Sequence, residues 1–127
     1  MVYTPEEKQR MDGLMKVFGD YLAASESVDV VYSEKVGYVR LIIAEHADSF
    51  FFKIYGFDDM LEMFFSDALY DEVREVYYKD MTNRDMDYDG IYNRLKVYVD
   101  AMGEEREHAL KKLDEFIEKW RNSELLP

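Results

Sequence analysis

The chain has 127 residues, 28 acidic and 16 basic, which gives a formal net charge of −12 at pH 7. Affinity for phosphates comes from Lys and Arg, so this balance argues against direct binding to nucleic acid or to an anionic membrane. The absence of cysteine excludes disulfides and thiol nucleophiles and fits a reducing compartment. The sequence shows neither a signal peptide nor an apolar run of the ~18 residues that a membrane span needs. We expect one cytoplasmic domain over residues 1–127.

The first predicted element is an amphipathic helix that begins after Thr4. Thr4 suits the N-cap, Pro5 the first helical position, and Glu7 is placed to complete a capping box. Apolar residues then recur at helical spacing until Ala24, namely Met11, Leu14, Met15, Phe18, Tyr21 and Leu22.

Residues 28–55 predict a three-stranded antiparallel meander. Residues 28–32 alternate in the manner of a half-buried strand, residues 33–37 form a hairpin loop, and residues 38–44 form the second strand. Residues 45–48 then turn into a strand rich in Phe at residues 50–55. A competing interpretation treats residues 36–50 as a helix, because several apolar residues there fit a period of 3.6, and this would give an all-α bundle. The density of Val, Ile, Tyr and Phe favours strands.

A long helix is predicted after Gly56, where a turn residue follows the third strand. Asp58 and Asp59 stand in its first turn, where the helix dipole favours negative charge. Its apolar face comprises Phe57, Met60, Leu61, Phe64, Phe65 and Ala68, and it then moves around the cylinder. The pattern fits either one helix or a second helix capped by Ser66 or Asp67, and we favour one helix.

The last third of the chain predicts further helices. Apolar residues recur at helical spacing over residues 91–102 and 109–120, and Gly103 leaves open whether residues 91–122 form one helix or two. The expected fold is therefore α+β, with an N-terminal helix, the meander and two to four further helices. The expected core includes Leu14, Phe18, Leu41, Ile43, Phe51, Leu61, Phe64, Leu95, Leu113 and Ile117.

The segment from Asp85 to Gly90 matches the opening half of an EF-hand calcium loop. Its twelfth position should carry a bidentate carboxylate, but that position is Lys96. We therefore interpret Asp87 or Asp89 as a helix cap and expect no calcium site.

Of the two histidines, His46 lies in a predicted turn, and His108 with Glu104 has the spacing of a shared ligand pair but the setting of a charged surface. We expect no metal and no cofactor.

The negative charge is concentrated in residues 57–81, which contain 8 acids and 2 bases, a net of −6. A helix rises 1.5 Å per residue, so residues 67, 71 and 75 stand about 6 Å apart, within a factor of two of the axial spacing of phosphates on one DNA strand. Aromatic side chains that dominate binding hot spots lie beside this stripe. The predicted partner-binding residues are Asp67, Tyr70, Asp71, Glu75 and Tyr78.

These features favour a non-enzymatic interaction protein that binds a basic site on a partner protein. One class of such partners is nucleic-acid-binding proteins, nucleases among them, which the chain would inhibit by imitating a phosphate backbone. In composition alone, the chain resembles small acidic nuclease inhibitors encoded by phage and mobile elements. No catalytic motif stands out, yet a small enzyme using carboxylate acid/base chemistry remains an alternative. A partner-dependent structural subunit, or a homodimer formed through the C-terminal helix, is a third.

Overall fold

A computed structural model describes residues 2–25, 28–43, 50–78 and 86–122, with only the backbone described for residues 73–78. In these residues the chain is α+β and mostly helical, and the predicted order of helix, three-stranded meander and helices is confirmed. The elements are α1 (Pro5–Ala23), β1 (Val28–Ser33), β2 (Gly37–Ile42), β3 (Phe50–Lys53), α2 (Phe57–Tyr78), α3 (Tyr88–Asp100), a 3₁₀ turn (Gly103–Glu105) and α4 (Arg106–Arg121). None of the helices in the described segments is both long enough and apolar enough to cross a bilayer.

The chain divides into two compact units, Met1–Met60 and Leu61–Pro127, which are described separately below. In the first unit, α1 begins as its sequence predicts. Thr4 Oγ1 accepts a hydrogen bond from Glu7 N at 3.1 Å, and Pro5 stands in the first turn. The buried face of α1 consists of Met11, Leu14 and Phe18.

The three strands form an antiparallel sheet in the order β1-β2-β3. Val30 lies opposite Arg40, and Arg40 lies opposite Phe52, so these three side chains share one face. Leu41 and Phe51 are paired in the same way and share the other face. The strand interpretation of residues 36–50 is therefore correct for residues 37–42 and 50, while the predicted turn at residues 45–48 lies outside the described residues.

The two faces of the sheet differ in burial. Val30, Tyr38 and Ile54 are buried on one face, although Phe50 and Phe52 at the β3 edge of that face are exposed, whereas Val31, Ile43, Phe51 and Tyr55 on the other face are exposed. The prediction that Leu41, Ile43 and Phe51 belong to the core was wrong, because Leu41 is only half-buried and the other two are exposed. Hydrophobicity places a residue in a strand, but only a covering layer buries it, and the described residues leave Ile43 and Phe51 uncovered on this face.

α2 is one continuous helix, as favoured from the sequence, and a residue of α1 caps its N-terminus. The Glu7 Oε1 atom accepts a hydrogen bond from Phe57 N at 2.6 Å, and Glu7 Oε2 lies 3.2 Å from Arg10 Nη1. Glu7 was expected to complete the capping box of its own helix, but its carboxylate instead binds the first turn of α2. A Cβ atom at Gly56 would stand 2.7 Å from Glu7 Oε1, so glycine leaves room for this contact.

The second unit is helical, and its core forms where α2, α3 and α4 meet. Phe64, Leu95 and Leu113 are among its fully buried side chains, and the ring centroids of Phe65 and Phe116 are 5.7 Å apart. Residues 91–122 form two helices rather than one. Gly103, at which φ is +61°, starts the 3₁₀ turn between α3 and α4.

The segment that resembles half a calcium loop is the start of α3. Asp87 is the N-cap, and its Oδ1 atom accepts a hydrogen bond from Gly90 N at 2.9 Å. Lys96, at the position where a calcium ligand is required, forms an ion pair with Asp100 at 2.8 Å. Asp85 lies outside the described residues. The described part of the segment is therefore built as a helix cap.

Candidate functional site

Tyr70 is the most prominent of the predicted partner-binding residues. It lies on α2, and the residue is 52% exposed. The Trp120 ring of α4 contacts it edge-on, with ring centroids 6.2 Å apart and an interplanar angle of 80°. Trp120 also packs against Phe116, at a centroid distance of 6.2 Å. The Tyr70 ring is therefore presented to solvent on an aromatic support from the neighbouring helix.

The predicted acidic stripe is divided by burial. Asp71 is exposed next to Tyr70, but Asp67 is only 6% exposed and does not lie on the surface that a partner would meet. The phase of the apolar face explains this, because Phe64, Ala68 and Leu69 bury the helix around Asp67. The side chains of Glu75 and Tyr78, the other two predicted residues, lie outside the described part of the chain.

An acidic groove between α3 and α4 is a feature that the sequence analysis missed. Its open volume is about 410 Å³, and it is lined by Asp89, Tyr92, Asp114, Ile117, Glu118, Arg121 and Asn122. The spacing of residues 114, 117, 118 and 121 on one face of α4 was the available signal. That signal says nothing about the facing residues of α3.

Two pairs of polar groups in the groove interact, Arg121 with Asp89 and Tyr92 with Asp114. Arg121 Nη2 lies 2.9 Å from Asp89 Oδ1, and its guanidinium lies 5.5 Å from the centroid of the Tyr88 ring. Burial, and then a hydrogen bond to Asp114, raises the pKa of Tyr92. These contacts join α3 to α4 and give the groove a structural role.

A polar network in the first unit joins α1 to the sheet. The Tyr3 hydroxyl donates to Ile54 O and accepts from Tyr38 N at 2.9 Å. The Tyr38 hydroxyl donates to Asp12 Oδ1, and Asp12 Oδ2 lies 2.8 Å from Lys8 Nζ. The four side chains connect the N-terminus, the first two turns of α1, β2 and the residue after β3.

This network shifts the pKa values of its members. Burial, followed by the hydrogen bond to Asp12, raises the pKa of Tyr38 well above its usual range. Burial also raises the pKa of Asp12, but hydrogen bonds from Lys8 and Tyr38 outweigh it, so the Asp12 pKa lies below its ordinary value. Both shifts favour the protonation states found near neutral pH, a neutral tyrosine and a carboxylate, which suits a structural network.

Among the described residues, no three His, Asp or Glu side chains stand close enough together to hold a metal ion. His108 is exposed on α4, and His46 lies outside the described residues.

Comparison with protein-family models, with curated proteins and with solved structures found no match. The surfaces described above are therefore the basis for a functional proposal.

Proposed function

We propose that this protein acts by binding a basic surface of another protein, with Tyr70 as the aromatic anchor and Asp71 as the adjacent carboxylate. The observation that carries the proposal is the exposure of Tyr70 on its support from Trp120. Tyrosine is enriched among the residues that dominate binding energies. A side chain already supported by a neighbour loses little conformational freedom on binding, which lowers the entropic cost of association.

The charge of the chain supports a basic partner. Residues 57–81, which contain both proposed binding residues, have a net charge of −6, half of the net −12 of the whole chain. A concentrated field of one sign attracts the opposite sign over distances near the Debye length, and it raises association rates more than affinity. The partner surface is therefore expected to be rich in Lys and Arg.

A finer form of the proposal is that the partner site normally holds nucleic acid, so that binding inhibits the partner. Asp67 is buried and offers no contact to a partner. The imitation of a phosphate backbone therefore rests on Asp71 and Glu75, which are four residues apart and about 6 Å apart along the axis of α2. In this form, adding the protein releases bound duplex DNA or RNA from the partner as the complex forms.

The proposal is tested by affinity capture with the wild-type chain and three variants. Tyr70→Ala removes the anchor, and Asp71→Lys reverses the adjacent charge. Glu107→Lys is the matched control, because it changes the net charge by the same amount at an exposed residue of α4 about 20 Å along the helix from Trp120. A thermal melt of each variant checks that the fold is retained.

The expected result is a retained basic protein that binds wild type and the Glu107→Lys variant, and that Tyr70→Ala and Asp71→Lys fail to retain. Raising the salt concentration should weaken wild-type binding, and Asp71→Lys should remove part of that dependence. Equal capture by all four chains would contradict the proposed site. For the finer form, a partner that keeps its nucleic acid while bound to this protein would contradict inhibition by mimicry.

A further inference from the structure

β3 is an edge strand, and its backbone bonding shows which of its groups point outward. In the part of the chain that the structure describes, β3 pairs with β2 alone. Ile54 N donates to Tyr38 O at 3.0 Å, so Ile54 turns its backbone groups toward β2. Backbone groups alternate in direction along a strand, which turns Phe52 toward β2 as well and leaves Phe51 and Lys53 facing the open edge.

The other edge of the sheet has an outward backbone group that is already bonded, at Val30. Arg40 lies opposite both Val30 and Phe52, and its backbone groups point to Phe52, so those of Val30 point away from the sheet. The Asp29 side chain occupies this position, because its Oδ1 atom accepts a hydrogen bond from Val30 N at 2.8 Å. A charged side chain that binds an outward N–H group blocks pairing with a further strand.

The open part of β3 ends at Tyr55. Asp59 Oδ2 accepts a hydrogen bond from Tyr55 N at 2.8 Å, which closes the next outward position after Lys53. Lys53 itself is turned aside, since its ammonium lies 5.4 Å from the centroid of the Tyr55 ring. Within the described residues, Phe51 and Lys53 therefore form an open segment that ends at Tyr55. Phenylalanine side chains flank this segment, and its one charged side chain, that of Lys53, is turned toward Tyr55.

The aromatic side chains at this edge expose an area of interface size. Phe50, Phe51, Phe52 and Tyr55 are each between 51 and 74% exposed. At about 200 Å² for a whole aromatic side chain, together they leave roughly 500 Å² in contact with water. Phe50 and Phe52 project from one face of the sheet and Phe51 and Tyr55 from the other, so this apolar surface flanks the edge strand on both sides. A two-fold interface that covered all of it on two copies would bury about 1,000 Å², the lower limit for a specific interface.

Charge indicates which occupant fits this edge. The three strands contain only Asp29, Arg40 and Lys53 as charged residues, so the sheet does not share the strong negative charge of residues 57–81. A basic partner therefore gains little by binding here. The strand residues themselves also add little repulsion between two copies of this acidic chain.

We infer that β3 pairs antiparallel with β3 of a second copy of this chain, and that the two sheets join into one six-stranded sheet about a two-fold axis. When two copies of one strand pair antiparallel about a two-fold axis, one residue stands opposite its own copy. Because the open segment begins at Phe51, that residue is Phe51 or Phe52. Either register places aromatic rings directly opposite each other, an arrangement that stabilises paired strands. This inference is independent of the proposed function, because it uses the sheet and not Tyr70 or Asp71.

The first measurement is the molar mass of the wild-type chain by sedimentation velocity. The chain has a mass of 15.2 kDa, and the inference predicts twice that value at protein concentrations up to roughly 100 µM, since specific interfaces have dissociation constants of micromolar or lower. A wild-type chain that sediments as a monomer throughout this range would overturn the inference. It would do so even if a peptide of another protein occupied the edge.

Lys53→Pro then tests whether β3 forms the interface. Proline removes the N–H group that points outward, while the bonds of Phe50, Phe52 and Ile54 to β2 and the phenylalanine rings all remain. We expect a folded monomer, and we expect the control Lys53→Ala to remain a dimer because it keeps the N–H group. A folded Lys53→Pro dimer would overturn the inference.

Single cysteines provide a second, independent readout, because the natural chain contains none. Under mild oxidation, either Phe51→Cys or Phe52→Cys should form a cross-linked dimer, since paired residues bring their Cα atoms within disulfide range. Val36→Cys is the control, because Val36 is exposed in the turn between β1 and β2. Cross-linking of Val36→Cys as fast as both test variants would show random collision and would count against the inference.

Discussion

The carboxylate of Glu7, near the start of α1, caps the N-terminus of α2 by accepting a hydrogen bond from Phe57 N at 2.6 Å. The first N–H groups of a helix have no partner within the helix, and a carboxylate there also interacts favourably with the helix dipole. This contact links residues 50 positions apart in the chain. Glu7 is thus a third acidic residue at the start of α2, beside Asp58 and Asp59 in the first turn.

Replacing Glu7 with Ala is expected to lower the free energy of unfolding by about 1–2 kcal/mol, the usual cost of losing a helix cap. Glu6→Ala is the control, because Glu6 is an exposed acid in the same turn of α1. Urea denaturation of both variants measures the difference. Equal losses for Glu6→Ala and Glu7→Ala would show that the bond to Phe57 contributes nothing.

The pKa of Asp12 predicts a pH-dependent contribution to stability. Burial raises this pKa, but hydrogen bonds from Lys8 and Tyr38 lower it by more. The Asp12 pKa is therefore below its ordinary value, and the folded state favours the carboxylate. The stabilisation is therefore present above the unfolded pKa of about 3.9 and is lost as the pH falls through the lower folded value. The stability difference between wild type and Asp12→Asn should shrink as the pH is lowered below about 4.

Asp20→Asn is the matched control for that titration, since Asp20 is an exposed acid on the same helix. Denaturation curves at a series of pH values between neutral and acidic give both differences. If the Asp12→Asn difference stays constant through the acidic range, the network does not hold Asp12 in its charged form.

The core assignment predicts opposite results for two phenylalanines. Phe64 is fully buried in the second unit, so Phe64→Ala should lower the free energy of unfolding by roughly 3–5 kcal/mol. Phe51 is exposed, so Phe51→Ala should change the stability of the monomer by less than about 0.5 kcal/mol. Denaturation at a protein concentration low enough to exclude dimers measures both. Similar losses for the two variants would contradict the burial pattern.

These two residues also show what the sequence could predict. Phe64 lies in a helix whose apolar residues recur at three and four positions, so the pattern itself gives the buried face. Phe51 lies in a run of three phenylalanines, which has no alternation and cannot say which face is covered. Glu7 illustrates the same limit, because its position predicted a local capping box while its carboxylate binds a helix far along the chain. Asp67 fits a surface stripe by spacing, but the drift of the apolar face buries it.

Calcium is expected to leave the protein unchanged. Lys96 stands where the loop requires a carboxylate and pairs with Asp100, and Asp87 is engaged as a helix cap. Millimolar calcium should therefore not raise the melting temperature, whereas a micromolar site would add about 4 kcal/mol at 1,000 times its dissociation constant. A thermal melt with calcium and with a chelator decides between the two, and a clear rise with calcium would refute the cap interpretation.

The most direct test of the proposed function is the affinity of a captured partner for the wild-type chain and for the Asp71→Lys and Glu107→Lys variants, measured over a range of salt concentrations. The two variants change the net charge equally, so they separate a specific site from general acidity. We predict that Asp71→Lys greatly weakens binding and lowers its salt dependence, while Glu107→Lys stays close to wild type. Equal affinities for the two variants would contradict the claim that the surface around Tyr70 and Asp71 is where this protein binds its partner.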